Sequence, residues 1–229
     1  MKTVLLTTAT LAALLATPVA AQEMAGGDWG FYAGAATDNR SKNASKSDGD
    51  PFAYAGAEWV SADGAFYFGP AAETIKSGGS NVEAEFAGGW RPQFGGFDFD
   101  FNAAHKWRLD SNPGVDDDAW EFTADMMRSI GPASARLQVQ YSPDGAGSTE
   151  AFTWTEARLG WAFTPRLEGT AAVGYRSQDN APDYTGWNAG FTYALTDALE
   201  AEVRYHSTDI DDLGRQYEDA VVAGISVAF

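Results

Sequence analysis

The clearest pattern in the chain is a run from 97 to 109 in which apolar and polar side chains largely alternate. One face carries Phe97, Phe99, Phe101, Ala103, His105, Trp107 and Leu109. The other carries Asp98, Asp100, Asn102, Ala104, Lys106 and Arg108. A period of two predicts a β-strand. The run is longer than the usual strand of about five or six residues, and it matches the roughly 9–11 residues that cross a bilayer at a tilt.

The same template, moved along the chain, predicts twelve strands. They fall near 29–37, 51–60, 65–75, 81–91, 97–109, 119–130, 133–141, 151–163, 166–176, 185–195, 199–208 and 220–229. An even number is typical of single-chain transmembrane barrels. The predicted fold is therefore all-β, an antiparallel up-and-down β-barrel that spans a membrane.

The links between these strands alternate in length, as expected for a barrel with short turns at one end and long loops at the other. The short links are 61–64, 92–96, 131–132, 164–165 and 196–198. The long links are 38–50, 110–118, 142–150, 177–184 and 209–219, and the link 76–80 has an intermediate length.

Tryptophan side chains favour membrane interfaces, so their positions give a second test. The strand directions predict an aromatic girdle at each rim, formed by Trp29, Trp59, Trp90 and Trp161 at one end and by Trp107, Trp120 and Trp187 at the other. Trp154 has inward parity, which predicts a bulge, a loop position or a ring across the outer mouth. Arg128 has lipid-facing parity near one end, where its stem can reach the interface.

Both ends of the chain indicate export to the bacterial outer membrane. Residues 1–21 combine Lys2, a short apolar run and small residues before Gln22, which predicts a cleaved signal peptide and a barrel domain over 22–229. The last strand places Val221, Ala223, Ile225 and Val227 on one face and ends at Phe229. We expect this strand to be the signal that the barrel-assembly machinery reads.

Charge and cysteine content narrow the function classes. Without Lys2, the 15 − 1 = 14 basic residues face 32 acidic ones, a balance of −18 that argues against nucleic acid as a partner. The chain has no cysteine, so stability must come from sheet hydrogen bonds and packing. We expect membrane lipids and small polar solutes as partners, and no cofactor.

Several segments resemble a known family. They are Thr37-Asp38-Asn39-Arg40, Ser47-Asp48-Gly49-Asp50-Pro51, Gly56-Ala57-Glu58-Trp59 and Gly64-Ala65-Phe66-Tyr67-Phe68-Gly69. With the signal peptide and the terminal Phe, they are similar to the TorF family of proposed porins. The chain departs from that pattern at Asn39-Arg40-Ser41-Lys42, where the family has an aromatic residue before Arg. The resemblance implies an outer-membrane barrel with a role in solute uptake, and it supplies no binding residues.

Inward parity predicts a charged lumen. The acidic set comprises Glu58, Glu73, Glu83, Glu85, Asp98, Asp100, Glu121, Asp125, Glu156, Glu168 and Glu202; the basic set comprises Lys106, Arg108, Arg136, Arg158, Arg176 and Arg204. Acids dominate the early strands and arginines the later ones. This separation predicts either a transverse field across a channel or pairs that fill the barrel, such as Glu156 and Glu168 with Arg158 and Arg176. A barrel of twelve strands lies in size between barrels of about eight strands, which side chains fill, and barrels of about sixteen or more, which leave an open channel.

We therefore expect a porin-like channel for small polar solutes or ions, favouring cationic or neutral ones. One alternative is a non-conducting structural or surface-recognition barrel. Another is a lipid hydrolase, since His105 has lipid-facing parity and His206 is the other histidine; the chain has no Gly-x-Ser-x-Gly motif, so we expect no enzyme. The Asp116–118 run and the 209–212 cluster match no dedicated calcium loop, and no metal site is expected.

Overall fold

A computed structural model of the protein describes residues 26–147 and 149–229, so the predicted signal peptide lies outside the described residues. Twelve long strands form one antiparallel ring. We label them β1 (Gly27–Ala36), β2 (Phe52–Ser61), β3 (Phe66–Ser77), β4 (Ser80–Trp90), β5 (Phe97–Leu109), β6 (Asp118–Ile130), β7 (Ala133–Gly145), β8 (Glu150–Thr164), β9 (Leu167–Gln178), β10 (Tyr184–Ala194), β11 (Leu199–Thr208) and β12 (Ala220–Ala228). The predicted all-β barrel is confirmed.

The ring closes where the last strand pairs with the first. The register runs from Tyr32 opposite Ala228 to Ala36 opposite Gly224. Beyond it, Phe31 and Phe229 exchange two backbone hydrogen bonds of 2.8 and 2.9 Å. Their rings stack with centroids 6.1 Å apart. Phe229 is therefore part of the seam.

The links define two ends. The turn end holds the links 62–65, 91–96, 131–132, 165–166 and 195–198, and the loop end holds 37–51, 78–79, 110–117, 146–149, 179–183 and 209–219. Strands β7 and β8 extend further toward the loop end than the sequence predicts, so the predicted long link 142–150 shortens to 146–149. The predicted intermediate link 76–80 is a two-residue turn, since Gly78 and Gly79 both take positive φ.

Three short strands and two 3-10 turns lie outside the ring pattern. Arg40–Ser41 pairs with Ala44–Ser45 inside the first long link, and Gln93–Phe94 pairs with the start of β5. The 3-10 turns Asp211–Leu213 and Arg215–Tyr217 lie in the last long link. Across 26–147 and 149–229, no helix has the length and apolar character needed to span a membrane.

Strand parity separates an apolar exterior from a charged interior. Leu137, Val139, Val173 and Val203 are each about half exposed on the outer face. The buried set is mainly polar and includes acids, arginines and asparagines that point into the barrel. This is the reverse of a water-soluble protein, in which charges rarely occupy the interior.

Trp154 lies inside the barrel, as its parity indicates. The residue sits in regular register between Gln140 and Arg176, so the bulge and the loop position are both wrong. Its ring is 1% exposed and lies over Gly174, where an added Cβ would come within 2.2 Å of the indole. Only glycine at 174 allows the indole to lie flat against the wall.

We expect Gly174→Ala to destabilise the barrel by about 1–3 kcal/mol, because the new methyl group overpacks a filled site. The measurement is guanidinium unfolding of the refolded protein in detergent or lipid. In a Trp154→Ala background the space is free, so the same glycine substitution should then cost little. Equal costs in both backgrounds would show that the ring does not lie over Gly174.

Candidate functional site

The first long link folds into the barrel instead of extending from it. We call residues 38–50 the inner hairpin. Its strands Arg40–Ser41 and Ala44–Ser45 are joined by Lys42 and Asn43, whose φ angles are 53° and 66°. Two consecutive left-handed residues make the mirror-image turn that suits a tight hairpin. Asparagine adopts this conformation readily, whereas lysine does so at a cost.

Buried hydrogen bonds around Asp38 hold the base of the inner hairpin. One carboxylate oxygen accepts from the Ser45 hydroxyl at 2.5 Å and from the Ser47 hydroxyl at 2.9 Å. The other accepts from Arg40 Nε at 2.5 Å. Arg40 Nη1 also donates to the carbonyl of Glu218 at 2.8 Å. The base is therefore cross-linked internally and tied to the last long link.

The tip of the inner hairpin contacts β10 and β11. Asn43 Oδ1 accepts from Asn188 Nδ2 at 2.8 Å and lies 3.0 Å from His206 Nδ1. The carbonyl of Lys42 accepts from the Tyr184 hydroxyl at 2.9 Å. These bonds join residues far apart in the chain and fix the tip against one wall.

The lysines of the inner hairpin contact the opposite wall. Lys46 Nζ pairs with Glu73 on β3 and lies 2.7 Å from Glu83 on β4. Lys42 Nζ lies 3.6 Å from Glu121 on β6. Because β4 and β10 are six places apart in a ring of twelve, the hairpin reaches across the full width of the lumen.

Beside the lysines of the inner hairpin, the predicted residues Lys106 and Arg108 continue the same charge cluster. Lys106 Nζ lies 2.9 Å from Glu121 and 3.3 Å from Glu85. Arg108 Nε lies 3.4 Å from Glu83. The acids predicted for this wall are therefore matched by cations on strand β5 and on the inner hairpin.

A second cluster lies at mid-height between β6, β7 and β8. Arg136 Nη2 lies 2.5 Å from Glu156 Oε1, and its Nε lies 3.6 Å from Asp125. Arg158 Nη2 lies 3.3 Å from the same Glu156 oxygen. Gln138 Nε2 donates to Asp125 at 3.2 Å.

A third cluster centres on Arg204 of β11. Its Nε donates to Glu202 at 2.8 Å, and its Nη atoms donate at 2.8 Å to Asn188 Oδ1 and Thr170 Oγ1. The bond to Asn188 connects this cluster to the tip of the inner hairpin.

A fourth cluster lies near the turn end and includes a cation that the strand template leaves out. Arg91, in a link, forms two bonds of 3.1 Å with Glu58 and one of 3.2 Å with Asp100. Its guanidinium lies 3.6 Å from the ring centre of Tyr67. The Tyr67 hydroxyl donates to Asp100 at 2.7 Å.

Three predicted lumen residues lie apart from these clusters. Asp98 is exposed at the turn end and accepts from Gln93. Glu168 and Arg176 sit at opposite ends of β9, so they belong to different layers. Arg176 stacks on Phe152, with its guanidinium 4.3 Å from the ring centre.

The charges of the lumen are thus largely paired, both across neighbouring strands and through the inner hairpin. Glu156 and Arg158 form the pair expected from the filled-barrel interpretation. The sequence analysis missed Lys42, Asn43, Lys46 and Arg91, which lie in links. The sequence signals at these positions are the small and polar residues typical of links and turns. Such residues do not indicate whether a loop folds into the barrel or extends away from it.

The predicted girdle residues lie at both rims. Trp29 packs edge-on against Phe68, which also stacks on Trp59 with centroids 5.1 Å apart. Trp90, Trp107, Trp120, Trp161 and Trp187 are each between 39% and 49% exposed. In β12, Val221, Ala223 and Ile225 face outward, Val227 is half-buried, and Phe229 is at the seam. Arg128 lies over the Phe97 ring at the turn end.

His105 lies on the outer face near the loop end. Its Nε2 is 2.8 Å from an Asp118 oxygen, and its ring stacks on Trp120 with centroids 4.6 Å apart. Its partners in the sheet are Phe86 and Trp120, so no hydroxyl occupies the adjoining positions. Among the described residues, no group of His, Asp or Glu side chains could hold a metal ion.

The sequence profile of a family described as "Bacterial protein of unknown function (Gcw_chp)" matches residues 28–226. The chain belongs to this family. No curated protein matches it. This match does not confirm the resemblance to the TorF family.

Solved structures share the fold at low sequence identity. The KdgM porin has a TM-score of 0.60 at 8% identity, covering 87% of this chain and 99% of that one. The NanC porin has a TM-score of 0.60 at 7% identity, covering 88% and 98%. A KdgM porin in complex with disordered oligogalacturonate gives 0.58 at 8% identity, covering 88% and 99%. These likenesses show that the barrel has the fold of outer-membrane porins.

The inner hairpin contains three trypsin sites, Arg40, Lys42 and Lys46, whose side chains are mostly buried. We expect Asp38→Ala to speed cleavage at these sites by about tenfold or more, because a hydrogen bond to a charged group contributes ~1.5–3 kcal/mol and the variant loses several. The measurement is limited proteolysis of the folded barrel, followed by mass spectrometry.

Asp63→Ala, which removes an exposed carboxylate that accepts hydrogen bonds from Ser61 and Ala65 in a turn at the other end, is the control and should leave the hairpin resistant. Cleavage at Arg215, whose side chain is 57% exposed, reports protease activity in every sample. Equal hairpin cleavage in the Asp38 and Asp63 variants would contradict the role of Asp38.

Proposed function

We propose that the protein is an outer-membrane channel for passive passage of small polar solutes or ions. The observation that carries this proposal is the inverted distribution of side chains on a closed ring, with apolar residues outside and paired charges inside. A closed barrel leaves no unpaired strand edge, which is the condition for a sheet to exist in lipid. Lipids would contact the outer face between the two aromatic rims.

The porin fold of the structural neighbours supports the same proposal. KdgM and NanC are porins by name, and each is covered almost completely by this chain. The resemblance to the TorF family of proposed porins points in the same direction. We also propose that β12, ending at Phe229, is the strand that the barrel-assembly machinery recognises.

We propose a preference for cationic or neutral solutes over anions. Exposed acids surround the loop end, among them Asp116, Asp117, Asp118, Asp209, Asp211 and Asp212. Carboxylates around a mouth raise the local concentration of cations and lower that of anions. The paired charges inside would then act on a solution already enriched in cations.

The inner hairpin favours a second candidate, a non-conducting barrel whose loops bind a partner. A hairpin that crosses the lumen and bonds to both walls could occlude it. Conductance separates the two functions, because an occluded barrel gives no current steps while a narrowed one gives small ones.

We expect the refolded protein to give discrete current steps in a planar bilayer and to admit small sugars or amino acids into liposomes. Neither signal would be seen from a non-conducting barrel. Substituting both Arg136 and Arg158 with Glu should raise the permeability of cations relative to anions, because two positive charges at mid-lumen become negative.

Arg136→Gln with Arg158→Gln should shift the ratio in the same direction by a smaller amount and tests the result with less disturbance to folding. Arg166→Glu, in an exposed turn, is the control and should leave the ratio unchanged. An unaltered ratio in both double variants would place the two arginines outside the permeation path.

A further inference from the structure

The inner hairpin brings positive charge to a wall that is otherwise rich in acids. Glu73, Glu83, Glu85 and Glu121 lie on β3, β4 and β6 at one level of the lumen. Lys46 pairs with the first two and Lys42 with the last. The hairpin therefore sets the net charge of this level, together with Lys106 and Arg108 on β5.

Lys42 is held in a defined place. Its ammonium lies 4.8 Å from the centre of the Phe152 ring, and the guanidinium of Arg176 lies 4.3 Å from the same ring centre. Phe152 is 4% exposed, and the Lys42 side chain is 8% exposed. A lysine that adopts a left-handed backbone and a buried position at a hairpin tip is costly for folding, and such positions occur mainly where they serve a function.

Hydrogen bonds also anchor the inner hairpin at three places. Its base is bonded to Glu218 in the last long link, its tip to Asn188 on β10, and its Lys46 carbonyl accepts from the backbone of Lys76 at 2.7 Å. Anchors on three sides keep the two lysines at fixed positions across the lumen. Fixed charge in a confined aqueous passage is what discriminates among ions.

We propose that the inner hairpin is the selectivity element of the channel, and that Lys42 and Lys46 are its specificity-determining residues. This inference rests on the proposed channel function. The two lysines neutralise the acidic wall, so an ion passing beside the hairpin meets a nearly balanced field. Without them, only Lys106 and Arg108 would oppose the four glutamates, and the remaining excess of negative charge would favour cations more strongly.

The surroundings of the two lysines give them different titration behaviour. The pKa of Lys42 is lowered to about 7; burial is the main cause, Glu121 opposes it, and Lys106, Arg176 and Lys46 contribute to the lowering. Burial would also lower the pKa of Lys46, but Glu73 and Glu83 outweigh it and raise that pKa. Lys46 therefore stays charged near neutral pH, whereas Lys42 is poised to lose its charge.

We expect Lys42→Met with Lys46→Met to raise the ratio of potassium to chloride permeability by about twofold or more, because two unit charges leave a confined region facing four acids. Reversal potentials in a potassium chloride gradient measure the ratio. Arg166→Met, which removes an exposed positive charge from a turn at the other end, is the control and should leave the ratio unchanged.

We expect the wild-type channel to become more selective for potassium as the pH rises from about 5.5 to about 8.5, since Lys42 loses its charge across its pKa and leaves Glu121 uncompensated. Lys42→Arg keeps the charge and should remove most of this pH dependence. A pH response as large in Lys42→Arg as in the wild type would overturn the role of Lys42.

A third measurement reports the position of the hairpin without any current. The chain has no cysteine, so Asn43→Cys with Asn188→Cys introduces the only thiols. A short bis-methanethiosulfonate reagent should link them in the membrane-inserted barrel, whereas Asn43→Cys with Asn102→Cys, on β5, should not link. No link in the first pair would overturn the inference by placing the hairpin outside the lumen.

The outcomes separate this inference from the proposed function. If the wild type conducts and the double lysine variant keeps the wild-type ratio, the selectivity role fails and the channel stands. If neither the wild type nor a variant with residues 39–49 replaced by a short glycine-serine linker conducts, the channel itself fails, and the inference fails with it. Heat-modifiable migration on gels shows that each variant has folded.

Discussion

Pairing between the first and last strands is the interaction on which the rest of the structure depends. A twelve-stranded sheet has two open edges unless β1 and β12 meet, and open edges expose a row of unpaired backbone groups. Closure at the seam, with Phe229 bonded to Phe31, removes both edges and creates an inside. Alternate residues of every strand then face the enclosed space and the surroundings in turn.

The enclosed space holds the inner hairpin as well as the inward side chains of the wall. Eight strands give an interior that side chains occupy completely, and sixteen or more leave a wide channel. At twelve, the inner hairpin occupies part of the interior at the loop end. Burying its charges is tolerable only because each meets a partner, since an unpaired buried charge costs several kcal/mol whereas a paired one can approach balance.

The strands of the barrel can be predicted almost completely from the sequence, because a period of two is a local property. The alternation in 97–109 predicts the observed strand Phe97–Leu109, and the lumen positions of Glu83, Lys106 and Glu156 follow from parity. The inner hairpin does not follow, since nothing local distinguishes a polar loop that folds inward from one that extends outward. Its direction depends on contacts such as Asn43 with Asn188, which are 145 residues apart in the chain.

Wall and hairpin are under different physical constraints. A wall residue cannot change parity without moving its strand register, whereas hairpin residues need only a turn that closes and partners that match. Placing Lys42 and Lys46 on the loop therefore separates the charge of the lumen from the pairing that closes the ring. The charge at this level can change through two loop positions while the hydrogen bonds from β1 to β12 stay as they are.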